Sequence, residues 1–315
     1  MTIDELDLRI IAYLKEDPRA SNRALARALQ LSEPKVTARV AKLEAQPALR
    51  VMAVVDMHTV GYQDVVVLGI RVGDLHPDDV AAELVRIPEV IGVNSTFGRY
   101  QLVSLMLARD KHHLGELLDQ VGAIGGVQDQ EACLVLDVLQ TRSDVGMLSL
   151  FNEQAAPALP SDQSVLDGLD RGIIEALQEN GRMSFREISR RLETPEATIR
   201  SRLSRLENTG AMRLVAVTDS ASLLPAKANA WIGLRVRGGM LGEMAKRLCE
   251  VADSGLVFTT IGRFNLVALV LRPSRRELLD LVSQTIAPLQ GVEQLEVWEI
   301  VRTYKHDIRV SMPAD

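Results

Sequence analysis

Near the N-terminus Leu6, Ile10, Ile11 and Leu14 fall three or four positions apart among charged neighbours, the spacing of one helical face, and Asp17-Pro18 stops the pattern. Ser21 supplies an N-cap for a short second helix with Leu25, Ala28 and Leu29 turned inward. Ser32 caps a third, with Pro34 early, where a missing N–H costs little, and with Val36, Val40 and Leu43 on one side. Leu49 to Val55 is β-rich and suits a wing. Three short helices with a tight turn before the third predict a helix-turn-helix. From Val65 the period changes. Val65 to Val72 reads as strand, Pro77 to Arg86 as helix, Ile91 to Thr96 and Leu102 to Ala108 as strands, Lys111 to Val121 as helix, and Val127 to Leu139 as strand. That order, β-α-β-β-α-β, is the ferredoxin-like arrangement.

The pattern then starts again. Leu6-Asp7 meets Leu169-Asp170 at a shift of 163, and at the same shift Arg19 meets Arg182, Ser21 meets Ser184, Arg39 meets Arg202 and Leu43-Glu44 meets Leu206-Glu207. One inserted residue later, Gly98-Arg99-Tyr100-Gln101 meets Gly262-Arg263-Phe264-Asn265. In the second copy Thr194 is the expected cap of the third helix, Pro195 its first residue, and Ile199, Leu203 and Leu206 its inner face. Met212 to Val217 is the counterpart of the wing. The strands and helices after it are Ala230 to Val236, Met240 to Val251, Leu256 to Ile261, Leu266 to Leu271, Ser274 to Ile286 and Val292 to Val301. The expected organisation is a helix-turn-helix at 1–60, a ferredoxin-like domain at 61–145, a Pro/Ala-containing linker at 146–163, a second helix-turn-helix at 164–222 and a second ferredoxin-like domain at 223–315. The fold class is α+β, a duplicated winged helix-turn-helix followed by a βαββαβ domain. A sheet with helices on one face needs its other face covered, and a second such sheet in the same chain can cover it.

Charge is arranged by face rather than in total. The chain of 315 residues has a formal net charge of −6, which taken alone argues against nucleic acid. On the third helix, however, Lys35, Arg39 and Lys42 fall within about 60° of one another, beside the buried stripe, with Thr37 further round. The second copy places Thr198, Arg202 and Arg205 at the equivalent positions and adds Arg200. Such a helix can enter a major groove, with cations reaching phosphates and short polar side chains reaching base edges. The candidate DNA-contacting residues are Arg23, Ser32, Lys35, Thr37, Arg39 and Lys42 in the first copy, and Arg186, Thr194, Thr198, Arg200, Arg202 and Arg205 in the second. Because the two sets differ, an asymmetric operator is expected.

Module order, the Leu-Asp opening of the first helix, the Leu-Glu close of the third and the Gly-Arg-aromatic turns together resemble the Lrp/AsnC, or feast/famine, transcription factors, across nearly the whole chain. The resemblance implies double-stranded DNA as partner, a small-molecule effector, an amino acid or related metabolite, sensed by the ferredoxin-like modules, and homo-oligomers built through those modules. It also implies a tentative effector site at the turns Gly98, Arg99, Tyr100, Gln101 and Gly262, Arg263, Phe264, Asn265. Family members usually end this turn in Asp. Here both are amides, which keep hydrogen-bonding capacity and lose the charge that would favour an ammonium group. A further departure follows the third helix, Ala45-Gln46-Pro47 against Asn208-Thr209-Gly210, so the first wing is expected at a different angle.

Other chemistry finds little support. Cys133 and Cys249 stand apart, no His pair has metal-ligand spacing, and no Walker loop, dinucleotide Gly pattern or nucleophile elbow occurs. No cofactor, metal or catalytic residue is expected. Relatives of similar architecture carry out heme-related decarboxylation, a class that needs polar side chains, typically histidines, converging in a pocket, and few are present. The expectation is therefore a cytoplasmic regulator that is not an enzyme. The alternative is a metabolite-binding or accessory enzyme-like protein of the same architecture without DNA binding. No apolar run approaches the roughly 18 residues a membrane span requires.

Overall fold

The computed structural model describes residues 3–45, 49–141, 166–217, 228–251 and 254–306. The chain divides into two compact units, and each is built from both copies: Met1–Val60 with Ser143–Pro225, and Gly61–Arg142 with Ala226–Pro313. The expected linker at 146–163, and Gln46 and Pro47, lie outside the described residues.

The first unit holds the six helices of the repeated tri-helical motif. In copy one these are α1 (Glu5–Glu16), α2 (Asn22–Leu29) and α3 (Glu33–Glu44). Asp4 caps α1 in a capping box with Asp7, and Ser21 caps α2 by accepting from the amide of Ala24. Leu25, Ala26 and Leu29 face inward from α2, while Ala28 is exposed: a helix of 8 residues bends its buried stripe through the position two before Ala28. Ile10, Leu14, Leu25, Val36, Val40 and Leu43 close a common core. Copy two repeats this with α6 (Gly168–Glu179), α7 (Phe185–Arg191) and α8 (Glu196–Asn208). The capping residue of α8 is Pro195, one later than expected, because Thr194 instead turns its hydroxyl onto the carbonyl of Leu192 at 2.9 Å. The β-rich run after each third helix is a single strand, β1 (Arg50–Val55) and β6 (Met212–Val217), and the two pair antiparallel with each other. Each strand therefore pairs one edge of its backbone with the other copy.

The second unit is a closed barrel of eight strands in the order β10-β3-β4-β2-β5-β8-β9-β7. Copy one gives β2 (Asp64–Val72), β3 (Val90–Phe97), β4 (Leu102–Ala108) and β5 (Val127–Thr141), with helices α4 (Pro77–Arg86) and α5 (Lys111–Gly122). Copy two gives β7 (Ala228–Val236), β8 (Ser254–Ile261), β9 (Leu266–Arg272) and β10 (Val292–His306), with α9 (Leu241–Glu250) and α10 (Arg275–Asp280), the last running on into a π-helical turn at Leu281–Ile286. Leu68, Ile70, Leu102 and Met106 pack with Val80, Leu84, Leu117 and Val121 of the helices. The alternate positions Val67, Val103, Leu105 and Leu107 are as deeply buried, as are Trp231, Phe258, Phe264 and Trp298 from the other copy, and they fill the barrel.

Closure depends on two strands of 15 residues. β5 pairs with β2 through Val127 to Leu134 and with β8 through Leu134 to Thr141, and β10 pairs in the same way with β7 and then β3. Register shifts at Asp137 and Arg302 bend each strand from one copy's sheet into the other's. The expectation of a last strand ending near Leu139 and Val301 stops short because the added residues pair with the other copy. A pattern read within one copy contains no signal for them.

Candidate nucleic-acid interface and effector turns

The geometry of the first unit begins with two carboxylates that are fully buried, Asp7 and Asp170. Each is the third residue of its helix and closes a capping box, so helical phase already aims it back at the helix start. The third helix meets that spot with arginine. Arg39 donates from Nη1 to Asp4 at 2.6 Å and to Asp7 at 2.9 Å. Arg202 donates to Asp167 at 2.5 Å and reaches both oxygens of Asp170 at 3.3 Å, while Arg205 donates to Asp170 from the next turn. The backbone amide of Asp7 and the guanidinium of Arg39 hold Asp4 below its ordinary carboxylate value, and the amide of Asp170 with Arg202 does the same for Asp167. These contacts clamp the third helix to the first.

Of the residues expected at DNA, Arg39, Arg202 and Arg205 form ion pairs within their own copy: helical phase puts them beside the core, where the first helix presents carboxylates. Arg200 is also engaged, its guanidinium 4.0 Å from the ring centroid of Phe185 and 3.8 Å from Glu196. Thr37 accepts from the side-chain amide of Asn22 at 3.1 Å. Lys35, Lys42, Arg23 and Arg186 are exposed and form no ion pair with another described residue. Ser32 is exposed at the start of α3 without a side-chain cap bond, Thr198 is half-buried on α8, and Thr194 is held by Leu192.

The arginines before the second helices join the two copies. Arg19 donates to the carbonyl of Met183 at 3.2 Å and stacks 4.3 Å from the centre of the Phe185 ring. Arg182 donates to the carbonyl of Ala20 at 3.0 Å and to Asn22 at 2.7 Å. With β1 paired to β6, these reciprocal contacts fix one third helix relative to the other.

In the barrel, the two Gly-Arg-aromatic turns join β3 to β4 and β8 to β9. Gly98 and Gly262 have φ of +140° and +152°, and a Cβ there would stand 2.9 Å from the carbonyl of Val297 and 2.6 Å from that of Ala132. Each turn lies on the last strand of the other copy. Arg99 donates to Glu131 at 2.8 Å, and the hydroxyl of Tyr100 donates to the same carboxylate at 3.0 Å. Arg263 donates to Glu296 at 2.9 Å and sits 3.7 Å from Glu131. Tyr100 and Phe264 meet Trp298 edge-on, ring centroids 5.0 and 5.3 Å away. Burial pushes Tyr100 up, helped by the Glu131 hydrogen bond. Burial alone would raise Glu131, but the hydrogen bonds from Arg99 and Tyr100 outweigh it and hold the carboxyl below its ordinary value.

The amides that replace the family's Asp face away from this network. Gln101 accepts from the backbone N–H of Val72 at 3.0 Å, and Asn265 both accepts from the N–H of Val236 at 2.8 Å and donates to its carbonyl at 2.7 Å. Both fasten the turn to the neighbouring strand, and the paired bonds of Asn265 are a task an acid could do only in half. Sequence reasoning missed Asp7, Asp170, Glu131, Glu296 and Trp298. A signal existed for Trp298 alone: Gly233 is a glycine inside a strand, and a Cβ there would strike the rings of both Phe264 and Trp298 at 2.8 Å. His113 also acquires a partner unseen in sequence, Glu89 at 3.7 Å.

Comparison with known proteins follows this division. Residues 3–44 and 166–207 both match the AsnC-type helix-turn-helix domain, and residues 65–145 match the Lrp/AsnC ligand binding domain. The transcriptional regulator FL11 of Pyrococcus abyssi is 30% identical over 137 residues, 43% of this chain and 91% of its own length. Regulator Ptr1 of Methanocaldococcus jannaschii is 28% identical over 141 residues, 45% of this chain and 95% of its own. Among solved structures, the siroheme decarboxylase NirDL superposes over 98% of this chain and 95% of its own with a TM-score of 0.70 at 16% identity. That enzyme shares the architecture from end to end, so the expectation that this chain is not an enzyme is withdrawn: the architecture does not separate a regulator from an enzyme. No helix among the described residues is long and apolar enough to cross a membrane. With one helix-turn-helix match in each half and a regulator match covering nine-tenths of a relative's length, the chain belongs to the Lrp/AsnC family, in a tandem form that carries its modules twice.

Proposed function

We propose that this protein is a cytoplasmic, sequence-specific DNA-binding transcriptional regulator whose barrel takes a small-molecule effector and whose copies associate through it. One observation carries the reading: the two AsnC-type helix-turn-helix motifs are joined through β1, β6 and the Arg19 and Arg182 contacts, and their third helices keep an exposed outer face. Lys35 and Lys42, with Arg23 and Arg186 on the second helices, supply the phosphate contacts, while Arg39, Arg202 and Arg205 orient the helices. The effector turns act through the Arg99, Tyr100, Glu131, Arg263 and Glu296 network. Ligand binding there shifts the balance of cations and carboxylates between the copies.

The test is binding of the full chain to duplex from its own upstream region across a salt series. Tight binding that weakens steeply with salt supports the reading. Indifference to DNA at low salt refutes it. A second reading, a protein acting on an iron tetrapyrrole, is favoured by the likeness to the siroheme decarboxylase, which was also solved with an iron-uroporphyrin III analogue. Titration with iron-uroporphyrin III while following its visible absorption distinguishes the two.

A further inference from the structure

The two third helices offer DNA different chemistry. The outer face of α3, opposite Val36, Val40 and Leu43, is formed by Pro34, Ala38 and Ala41, all exposed and lining a shallow hollow with Glu33 and Thr37. The Thr37 hydroxyl already accepts from Asn22. The centre of this face therefore consists of methyl and methylene groups. The equivalent positions on α8, 163 residues on, are Ala197, Ser201 and Ser204, again exposed, with Asn208 a turn later. That face carries two hydroxyls and an amide able to donate and accept.

The flanks differ in a second, independent way. Lys42 on α3 is exposed and forms no ion pair with a described residue, whereas its counterpart Arg205 is held by Asp170. Lys35 is likewise exposed, and its counterpart is the neutral Thr198. Copy one thus has two lysines without an ion pair among the described residues along one flank of a front whose centre is apolar. Copy two has a hydrogen-bonding front whose flanking arginines, Arg202 and Arg205, are paired with Asp167 and Asp170.

Resting on the regulator reading, we infer that the two helices read their half-sites by different means: α3 by apolar contact with the C5-methyl groups of thymine, and α8 by hydrogen bonds to base edges. In the major groove the thymine methyl is the feature a surface of alanine and proline can recognise, since every other distinguishing group there is a donor or acceptor. The operator then has one half-site specified by its thymines and one by its hydrogen-bonding pattern.

The experiment uses the full chain and a binding site it selects from random-sequence duplex. Deoxyuridine replaces thymidine in one half-site at a time, which removes the C5-methyl and leaves pairing intact. The expected result is a loss of about fourfold in affinity for each methyl removed from the half-site under α3, the factor that burial of one such group carries. Little change is expected in the other half-site. The loss disappears in the Ala38→Ser/Ala41→Ser variant, which gives α3 the front of α8 and identifies the half-site it occupies. Tight binding that ignores deoxyuridine everywhere, or responds equally in both half-sites, overturns this inference and leaves the regulator reading standing. Failure to select or bind any duplex overturns both.

Discussion

Truncating Asp170 to Ala isolates what the arginines of α8 do. The carboxylate is fully buried, accepts the backbone N–H of Asp167 at 3.2 Å, and holds Arg202 and Arg205. Loss of the capping-box partner and of a carboxylate in the first turn each costs on the order of 0.5–1 kcal/mol. The two arginines are 32% and 44% exposed, so on losing Asp170 they return to water and their pairs are valued near the surface range. The total is about 2 kcal/mol, a rise of roughly 30-fold in local opening. Both tryptophans, Trp231 and Trp298, lie in the barrel, so denaturation followed by their fluorescence should not change. The assay is native-state hydrogen exchange, read at amides of α6 and α8. DNA affinity should fall alike for all sequences with an unaltered salt slope, because an orienting contact is lost and no phosphate contact is. Unchanged protection together with tighter DNA binding would refute this account, since it would mean Asp170 merely restrains cations that belong on DNA.

Three further outcomes follow from particular contacts. Lys42→Ala should reduce the salt slope of DNA binding by about 1, and Arg205→Ala should leave it unchanged, as measured by titration at several salt concentrations. Gly262→Ala places a Cβ 2.6 Å from the Ala132 carbonyl at φ +152°, and should destabilise the barrel by at least about 2 kcal/mol in urea melts followed by tryptophan fluorescence. A carboxyl whose folded value lies below its unfolded one stabilises above the unfolded value and loses that contribution as pH falls through the folded one. The barrel should therefore lose stability on acidification below about pH 4.5, and Glu131→Gln should flatten part of that limb.

Most of the local structure was legible because each element states its own period. Pro77 to Arg86 and Leu102 to Ala108 can be bounded to the residue, since Pro, turn residues and a change of periodicity mark both ends. The basic stripe was legible as a pattern but not as a role. Helical phase puts Arg39 beside the core, yet only the fold brings Asp4 and Asp7 from 35 and 32 residues away to meet it. The Gly-Arg-aromatic turns show the same limit. Gly98 and Tyr100 stand out in sequence, whereas their partners Glu131, Val297 and Trp298 lie on last strands whose repeat register is shifted by one more residue.

Duplication in one chain frees paired positions to diverge, and the barrel shows where they have. Two separate identical subunits would place the same residues on both sides of their shared axis. Here Trp298 faces both aromatic turns while its counterpart is the small, buried Cys133, and a Tyr on one turn answers a Phe on the other. One large ring can fill a centre that two would overcrowd, which a symmetric pair of subunits could not arrange. Glu131 takes the Tyr100 hydroxyl and approaches both Arg99 and Arg263, whereas Glu296 pairs with Arg263 and has a Phe where a hydroxyl would be. The two Gly-Arg-aromatic turns are therefore inequivalent in hydrogen-bonding capacity as well as in shape. A ligand that needs the Tyr100–Glu131 pair finds it once per chain, so the expected stoichiometry is one site per chain rather than the two that the repeat alone would imply. Isothermal titration with any effector found by screening measures this number directly, and a value of two with equal affinities would contradict the asymmetry drawn from these residues.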